Sequence, residues 1–270
     1  MVMKDFFKKI DEILNYADSI VLRNEANEVF FRGVNRQSYG LLPGLARIKA
    51  DGLDIVENRM YYDFVNYGGH LTPQNKNTWD ILFLMQHHGL PTRLLDWTES
   101  LLTALYFATK DTVFTEDAAI WVLDPYGLNE LYSDNDSIDY LDVSYPEGYF
   151  SYFVDETSSV YRKFPKSIIA IGVNPPNSRI VAQKGAFTFH NPRSMRKPLE
   201  EFKELSNKNY LQKFIIERSL FNDARKFLMY SNMNEFSMFP DLDGLARYIN
   251  MNERFNIQEY YKPVQEKKSK

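Results

Sequence analysis

Three short stretches of this chain carry the residue types that could do chemistry. The first is "NEVFFRGV", where a run suited to a buried strand ends in Arg32 and Gly33. Val and Phe fill a pleated, half-buried surface. An arginine is costly to bury without a partner, and a glycine in a strand marks a bend or a close backbone approach. One reading is that the strand stops there; the other is that Arg32 points from a sheet rim into a site for something anionic. The second stretch, "MQHHGLPTRLLDWTESLLTALYFATK", gathers Gln86, His87, His88, Thr92, Arg93 and Asp96 between two apolar segments. If that connection is buried, each group needs a partner. An Arg93–Asp96 pair that pins the loop is one reading and a ligand site is another, and the two are compatible. The third is "RIVAQKGAFTFHNPRSMRK". On a strand, Arg179, Val181 and Gln183 would share one face, Gly185 would be a bulge, and Gln183 would satisfy backbone groups beside it. Arg193, Arg196 and Lys197 then form a short basic run, which is a solvated loop or, beside aromatics, a contact for nucleic-acid phosphates.

Other chemistries lack their residues. His87 and His88 are adjacent, so on a helix they diverge by about 100°, and only His70 and His190 remain; no metal is expected. There is no Gly-x-Ser-x-Gly elbow. The absence of cysteine excludes disulfides, thiolate metal sites and cysteine nucleophiles, and fits a reducing cytosol, so the expected location is cytoplasmic. With 12 glycines a glycine-rich phosphate loop is not expected, and a net charge of −4 does not advertise a nucleic-acid binder. The N-terminal "MVMKDFFKKIDEIL" is charged throughout, without the apolar core of a signal peptide. No apolar run approaches the length of a membrane span, so no membrane partner is expected.

The elements that must position these residues follow from periodicity and punctuation. An amphipathic helix is expected over 4–18, with Phe6, Ile10, Ile13, Leu14 and Ala17 on one face. A strand over 28–32 and a helix over 54–68 follow, the latter with Tyr61, Tyr62, Phe64 and Val65 near its apolar side. Asn77 or Thr78 caps "TWDILFLMQHH", which is apolar almost all round and therefore central. Gly89 and Pro91 end it. Thr98 would then cap the next helix, with Trp97 and Leu102 as a hydrophobic staple. Strands are expected at 118–123, 167–173, 178–189 and 211–217, and helices near 219–231 and from "PDLDGLARYI", where Leu242, Leu245, Ala246 and Ile249 share a face. The region 126–164 has no clear pattern, and "VQEKKSK" reads as a disordered tail.

The quoted motifs also carry a resemblance. "FFRGV", "LLPGLAR", "WDILFLMQHHGLPTRLLDWTESLLTALYFA", "IVAQKGAFTFH" and "FPDLDGLARYI" together resemble the FRG domain family, from about residue 28 to about residue 250. Such domains occur in bacterial and phage-related proteins, which implies a defence or toxin role by association. The order of elements is also similar, more distantly, to ADP-ribosyltransferases of the Arg–Ser–Glu type. That similarity implies that Arg32 lies near the phosphates of NAD, that Thr98 and Ser100 match the hydroxyl motif, and that Gln183 stands where the catalytic glutamate would be. An arginine can clamp a pyrophosphate, but an amide carries no charge with which to stabilise an oxocarbenium-like state. Asp96, Asp124 or Glu217 would have to supply it.

The resulting expectation is an α+β fold, a single domain with a small central mixed or antiparallel sheet packed by helices and an ADP-ribosyltransferase-like core. An N-terminal helix (1–25), an FRG domain (26–255) and a polar tail (256–270) divide the chain. Arg32, Gly33, Gln86, His87, Arg93, Thr98 and Ser100 are the expected ligand-binding residues, with Gln183 and Asp96 at the catalytic position. The expected ligand is NAD or a related nucleotide, bound and then cleaved or used to transfer ADP-ribose to a nucleic-acid or protein acceptor. The alternative is a non-catalytic module that binds nucleic acid or a protein. A nuclease-like effector is a third reading, but no acidic metal site assembles from the sequence.

Overall fold

The computed structural model describes residues 3–71, 77–110, 115–133, 137–140, 167–172, 178–191 and 194–260. Its apolar strands form one seven-stranded sheet in the order β4-β5-β6-β2-β1-β3-β7. They are β1 Phe30–Val34, β2 Leu94–Thr98, β3 Ala118–Leu123, β4 Asp139–Tyr140, β5 Ile168–Gly172, β6 Gly185–His190 and β7 Leu211–Ile216. Only β4 and β5 run parallel; the other pairs are antiparallel. The helices are α1 Lys4–Asn24, α2 Leu53–Gly68, α3 Thr78–His87, α4 Leu101–Thr109, α5 Pro125–Tyr132, α6 Ser178–Gln183, α7 Lys203–Asn207, α8 Phe221–Tyr230, α9 Glu235–Met238 and α10 Leu242–Tyr260. The expected α+β architecture is therefore present, with a sheet that is mixed and mostly antiparallel.

Alternation along the strands sends residues to two cores. On one face Phe31, Ile120, Val122 and Phe214 pack with Phe6, Ile13 and Ile20 of α1, Ala104 and Ala108 of α4, and Phe221 of α8. On the other, Phe30, Val34, Leu95, Trp97, Trp121 and Ala170 pack with Leu128 of α5 and Leu205 of α7. Helix α3 buries Trp79, Ile81, Leu82, Phe83 and Met85, as its all-round apolar sequence requires. Asn77 and Asp80 form its capping box. The expected close approach at Gly33 is real: a Cβ there would lie 1.7 Å from the carbonyl oxygen of Ala104 and 2.9 Å from the nitrogen of Ala108. The backbone of α4 rests directly on β1.

Several expectations are corrected. Arg32 is the central residue of β1, not its end. "LLDWT" is a full strand whose five residues pair with β6 from Leu94↔Phe189 to Thr98↔Gly185. The helix that follows is capped by Ser100, whose side chain accepts from the backbone of Thr103, so neither the Thr98 cap nor the Trp97–Leu102 staple forms. Residues 178–183 are a helix, not a strand, and Lys184 (φ 48°) turns the chain into β6, so Gly185 opens a strand and is no bulge. Leu14, Tyr62, Val65, Leu242 and Ile249 are exposed rather than on buried faces. Residues 134–136 and 141–164 of the unpatterned region, and the tail 264–270, lie outside the described residues.

Candidate functional site

Strands β1 and β2 are joined at one pairing only, Phe31↔Thr98. Beyond it the two strands separate, while β1 stays fully paired with β3 from Phe30↔Leu123 to Val34↔Ala119. Arg32 stands at this split. Its Nη1 donates to the backbone carbonyl of Asp96, in the place of a ladder donor, and lies 3.8 Å from Asp96 Oδ2. Asp96 is further held by Gln86, whose amide donates to Oδ1 at 3.0 Å; Gln86 in turn accepts from the Thr92 hydroxyl at 2.6 Å. The Arg32 side chain is 21% exposed, and its Nε is buried with no hydrogen-bond partner. Burial lowers its pKa, Asp96 opposes that shift, and Arg47 adds to it. A guanidinium in this state is short of anionic company.

The split opens into a cleft of about 370 Å³. Arg32, Arg47, Lys110 and Arg179 line it, and Asp96 is its one carboxylate among the described residues. Tyr39, Trp97 and Phe107 add aromatic wall, and Thr98, Thr103 and Gln183 add short polar groups. A chain of net charge −4 thus concentrates cations in one concavity. Neither Arg47 nor Lys110 forms a salt bridge among the described residues. Lys110 instead stacks over Phe107, 5.2 Å from the ring centroid.

The expected meeting of Arg32 with the 86–96 stretch is therefore present, and Gly33, Thr98 and Gln183 also line the cleft. The Gln183 side-chain amide is turned to the C-terminal segment, donating to the carbonyl of Met238 at 3.0 Å, and the Gln183 backbone carbonyl accepts from the Thr98 hydroxyl at 2.6 Å. His87 does not line the cleft, but its carbonyl accepts from Arg179 at 3.2 Å. Ser100 is used as the cap of α4 and does not line the cleft.

Arg93 is corrected outright. It is fully buried, and its Nε donates to Glu57 Oε2 at 2.6 Å while its backbone N–H donates to Glu57 Oε1 at 3.1 Å. It ties α2 to β2 and leaves Asp96 to Arg32 and Gln86. The substitute carboxylates also have other work. Asp124 caps α5 and pairs with Arg23, while Glu217 lies 3.8 Å from Lys9.

Sequence reasoning missed Arg47, Lys110 and Arg179. Arg47 stands in "LLPGLAR" and Lys110 just after α4, both unremarked because nothing local marks a solvent-facing cation as a ligand. Glu99 was also missed. It lines a second cleft of about 440 Å³ with Glu28, and its backbone N–H donates to the Lys184 carbonyl. Burial, followed by Glu28, raises its pKa. Beneath the Arg32 cleft, His190 is fully buried, with Nε2 3.0 Å from the Thr188 hydroxyl, which also accepts from Trp97 Nε1 at 3.1 Å.

Among the described residues no group of three or more His, Asp or Glu could hold a metal ion, and no helix is long and apolar enough to cross a membrane. No curated protein and no solved structure matches the chain. The family model of the FRG domain matches residues 27–116, a shorter span than the motifs suggested. That span supplies Arg32, Gly33, Arg47, Gln86, Asp96, Thr98 and Lys110 to the cleft; Arg179 and Gln183 come from outside it. Residues 27–116 thus match the FRG domain, and the basic cleft is built largely from them.

Proposed function

We propose that this protein binds NAD or a related nucleotide in the Arg32 cleft. One observation carries the reading: three arginines and a lysine converge with a single carboxylate in one concavity of an otherwise acidic chain. Guanidinium groups grip phosphate oxygens in pairs, and the aromatic wall offers a base or a ribose its apolar contact. A cleft of about 370 Å³ is in the range of small-molecule sites.

The same site supports a chemical step. Asp96 is half-exposed and is oriented by the Gln86 amide and by Arg32. A carboxylate so placed can stabilise the positive charge that develops at the ribose when the nicotinamide bond breaks and nicotinamide leaves with the bonding electrons. Water or an acceptor nucleophile then bonds to that ribose carbon and loses its proton. This makes Asp96, rather than Gln183, the residue for glycohydrolase or ADP-ribosyl transfer chemistry, and such activity would suit a defence or toxin effector. The nucleic-acid alternative loses ground at its own basic run. Arg196 is spent on the carbonyl of Ala50, and Lys197 lies 4.1 Å from the Phe202 ring centroid, while Arg193 lies outside the described residues.

Calorimetric titration with NAD, ADP and AMP tests the proposal. Saturable binding of NAD that weakens about 10- to 100-fold in Arg47→Ala, in line with the loss of one charge-assisted contact, supports it. Absence of binding by the wild-type protein refutes it. Release of nicotinamide by the wild type but not by Asp96→Asn establishes the chemical step.

A further inference from the structure

The cleft's fourth cation comes from α6, outside the family match, and it is held by the C-terminal helices. The Arg179 guanidinium stacks over Phe239, 4.8 Å from the ring centroid, and Arg247 lies over the same ring at 5.2 Å. Phe239 also meets Phe107 of the cleft wall edge-on at 6.3 Å. Arg247 Nε donates to Glu235 Oε1 at 2.6 Å, and Glu235 Oε2 accepts from the Tyr106 hydroxyl of α4. One helical turn on from Arg179, Gln183 grips the carbonyl of Met238 at 3.0 Å. Gly244 lets α10 close on this point, since a Cβ there would lie 1.9 Å from the Phe239 carbonyl oxygen.

We infer that Phe239 is a positioning residue for Arg179, and that docking of α9 and α10 sets the strength with which the cleft holds an anion. The physical case is preorganisation. A long arginine side chain on a six-residue helix has many rotamers, and fixing them at the moment of binding costs affinity. The Phe239 ring on one side and the His87 carbonyl at 3.2 Å on the other hold the guanidinium at the cleft before a ligand arrives. Because binding and docking are linked, an anion in the cleft must in turn stabilise the docked C-terminal helices.

The inference rests on the nucleotide reading of the cleft, and its test separates the two. A double-mutant cycle of Arg179→Ala and Phe239→Leu, which keeps bulk but removes the aromatic face, is measured twice. In unfolding without ligand the two substitutions should be non-additive, which checks the stack itself. In binding of NAD, Phe239→Leu should weaken affinity about 10-fold, Phe239→Tyr should restore it, and the double variant should be no weaker than Arg179→Ala alone. Additive binding losses, or full affinity in Phe239→Leu, overturn the inference. If wild type binds no nucleotide, the nucleotide reading fails, and pyrophosphate takes NAD's place as probe in the same cycle. Absence of pyrophosphate binding overturns both. Hydrogen exchange in α9 and the start of α10 should slow on binding, and unchanged exchange counts against the linkage.

Discussion

Arg93 and Glu57 are both completely buried and face one another across the junction of α2 with β2. One carboxylate accepts from the guanidinium Nε and from the Arg93 backbone N–H, so it holds the side chain and the backbone just before β2 together. Removing either partner strands a charge in the interior, which costs about 3–5 kcal/mol. Glu57→Ala and Arg93→Ala should each show this loss in denaturant unfolding, whereas Asp96→Ala, which removes a half-exposed carboxylate and leaves Arg32 its hydrogen bond to the backbone carbonyl, should lose less than about 1 kcal/mol. Equal effects for Glu57→Ala and Asp96→Ala would contradict the assignment.

The contact between β1 and α4 leaves no room for a side chain at Gly33. The obstructing atoms are backbone, not the tip of a flexible side chain. Gly33→Ala must push α4 off the sheet, and overpacking of this kind costs about 3 kcal/mol or more. Thermal denaturation of Gly33→Ala should show a drop of many degrees; a melting temperature within a degree or two of wild type would mean that α4 sits further away.

Arg32 has two roles that substitution can separate. Its Nη1 bonds the Asp96 carbonyl at the split in the ladder, and in the nucleotide reading its guanidinium is also the group that meets the phosphates. Arg32→Lys keeps a charge but not the fork, so it should retain most of the stability and still lose at least 10-fold in nucleotide affinity. Affinity equal to wild type in Arg32→Lys would remove the guanidinium from the binding account.

Salt dependence distinguishes the pocket from a polyanion surface. A protein that neutralises several phosphates of a single strand loses affinity with a log–log slope of about −0.7 per contact. A four-cation cleft engaging one diphosphate should show a slope no steeper than about −2 by the same measure. Titrations of NAD and of a short single-stranded RNA at 50 and 200 mM salt, run side by side, check this. Tight RNA binding with a steep slope, unaffected by Arg32→Ala, would favour the nucleic-acid reading.

His190 makes stability depend on pH. Its burial, and secondarily Arg32, push its pKa down from 6.5 to about 3. The folded state therefore refuses a proton that the unfolded chain takes up near pH 6.5. Between those values unfolding binds protons, so stability rises with pH and is lost as pH falls, by about 1.4 kcal/mol per unit. His190→Gln should flatten the stability profile between pH 7 and pH 5. His87, also shifted down by burial, leaves a residual slope in the variant. An unchanged profile would show that His190 is protonated in the folded protein.

The parts of the fold that were legible in the sequence are those whose local pattern agrees with their tertiary role. Strand β3 and helix α3 are apolar on every side because they are covered on every side, and both stand where periodicity put them. The strand β2 was hidden because its solvent-facing residue, Asp96, and the polar groups before it look like a loop; only pairing with β6 makes it a strand. "SRIVAQ" looks like a strand by propensity, yet it coils because Arg179 and Gln183, four residues apart, both have partners in the 238–239 segment. The Arg32 site was legible because an arginine in a buried strand requires a reason. Arg93 had the same signal but a different answer, since Glu57 lies a helix away and no local spacing points to it.

The position of β3 bears on where this domain can be cut. The strand that carries Arg32 takes its whole ladder on one side from residues 118–123, and these fall just beyond the segment matched by the family model, which stops at 116. On its other side it has one pairing. As the chain leaves a ribosome, β1 must therefore wait for β3, β3 for β7 at Leu211–Ile216, and β2 for β6 at Gly185–His190. The boundary of recognisable sequence is not a boundary of cooperative folding. A transplant of this module that ends at 116 should emerge as an unfolded, aggregation-prone fragment, while one that runs through 216 keeps every strand of the sheet.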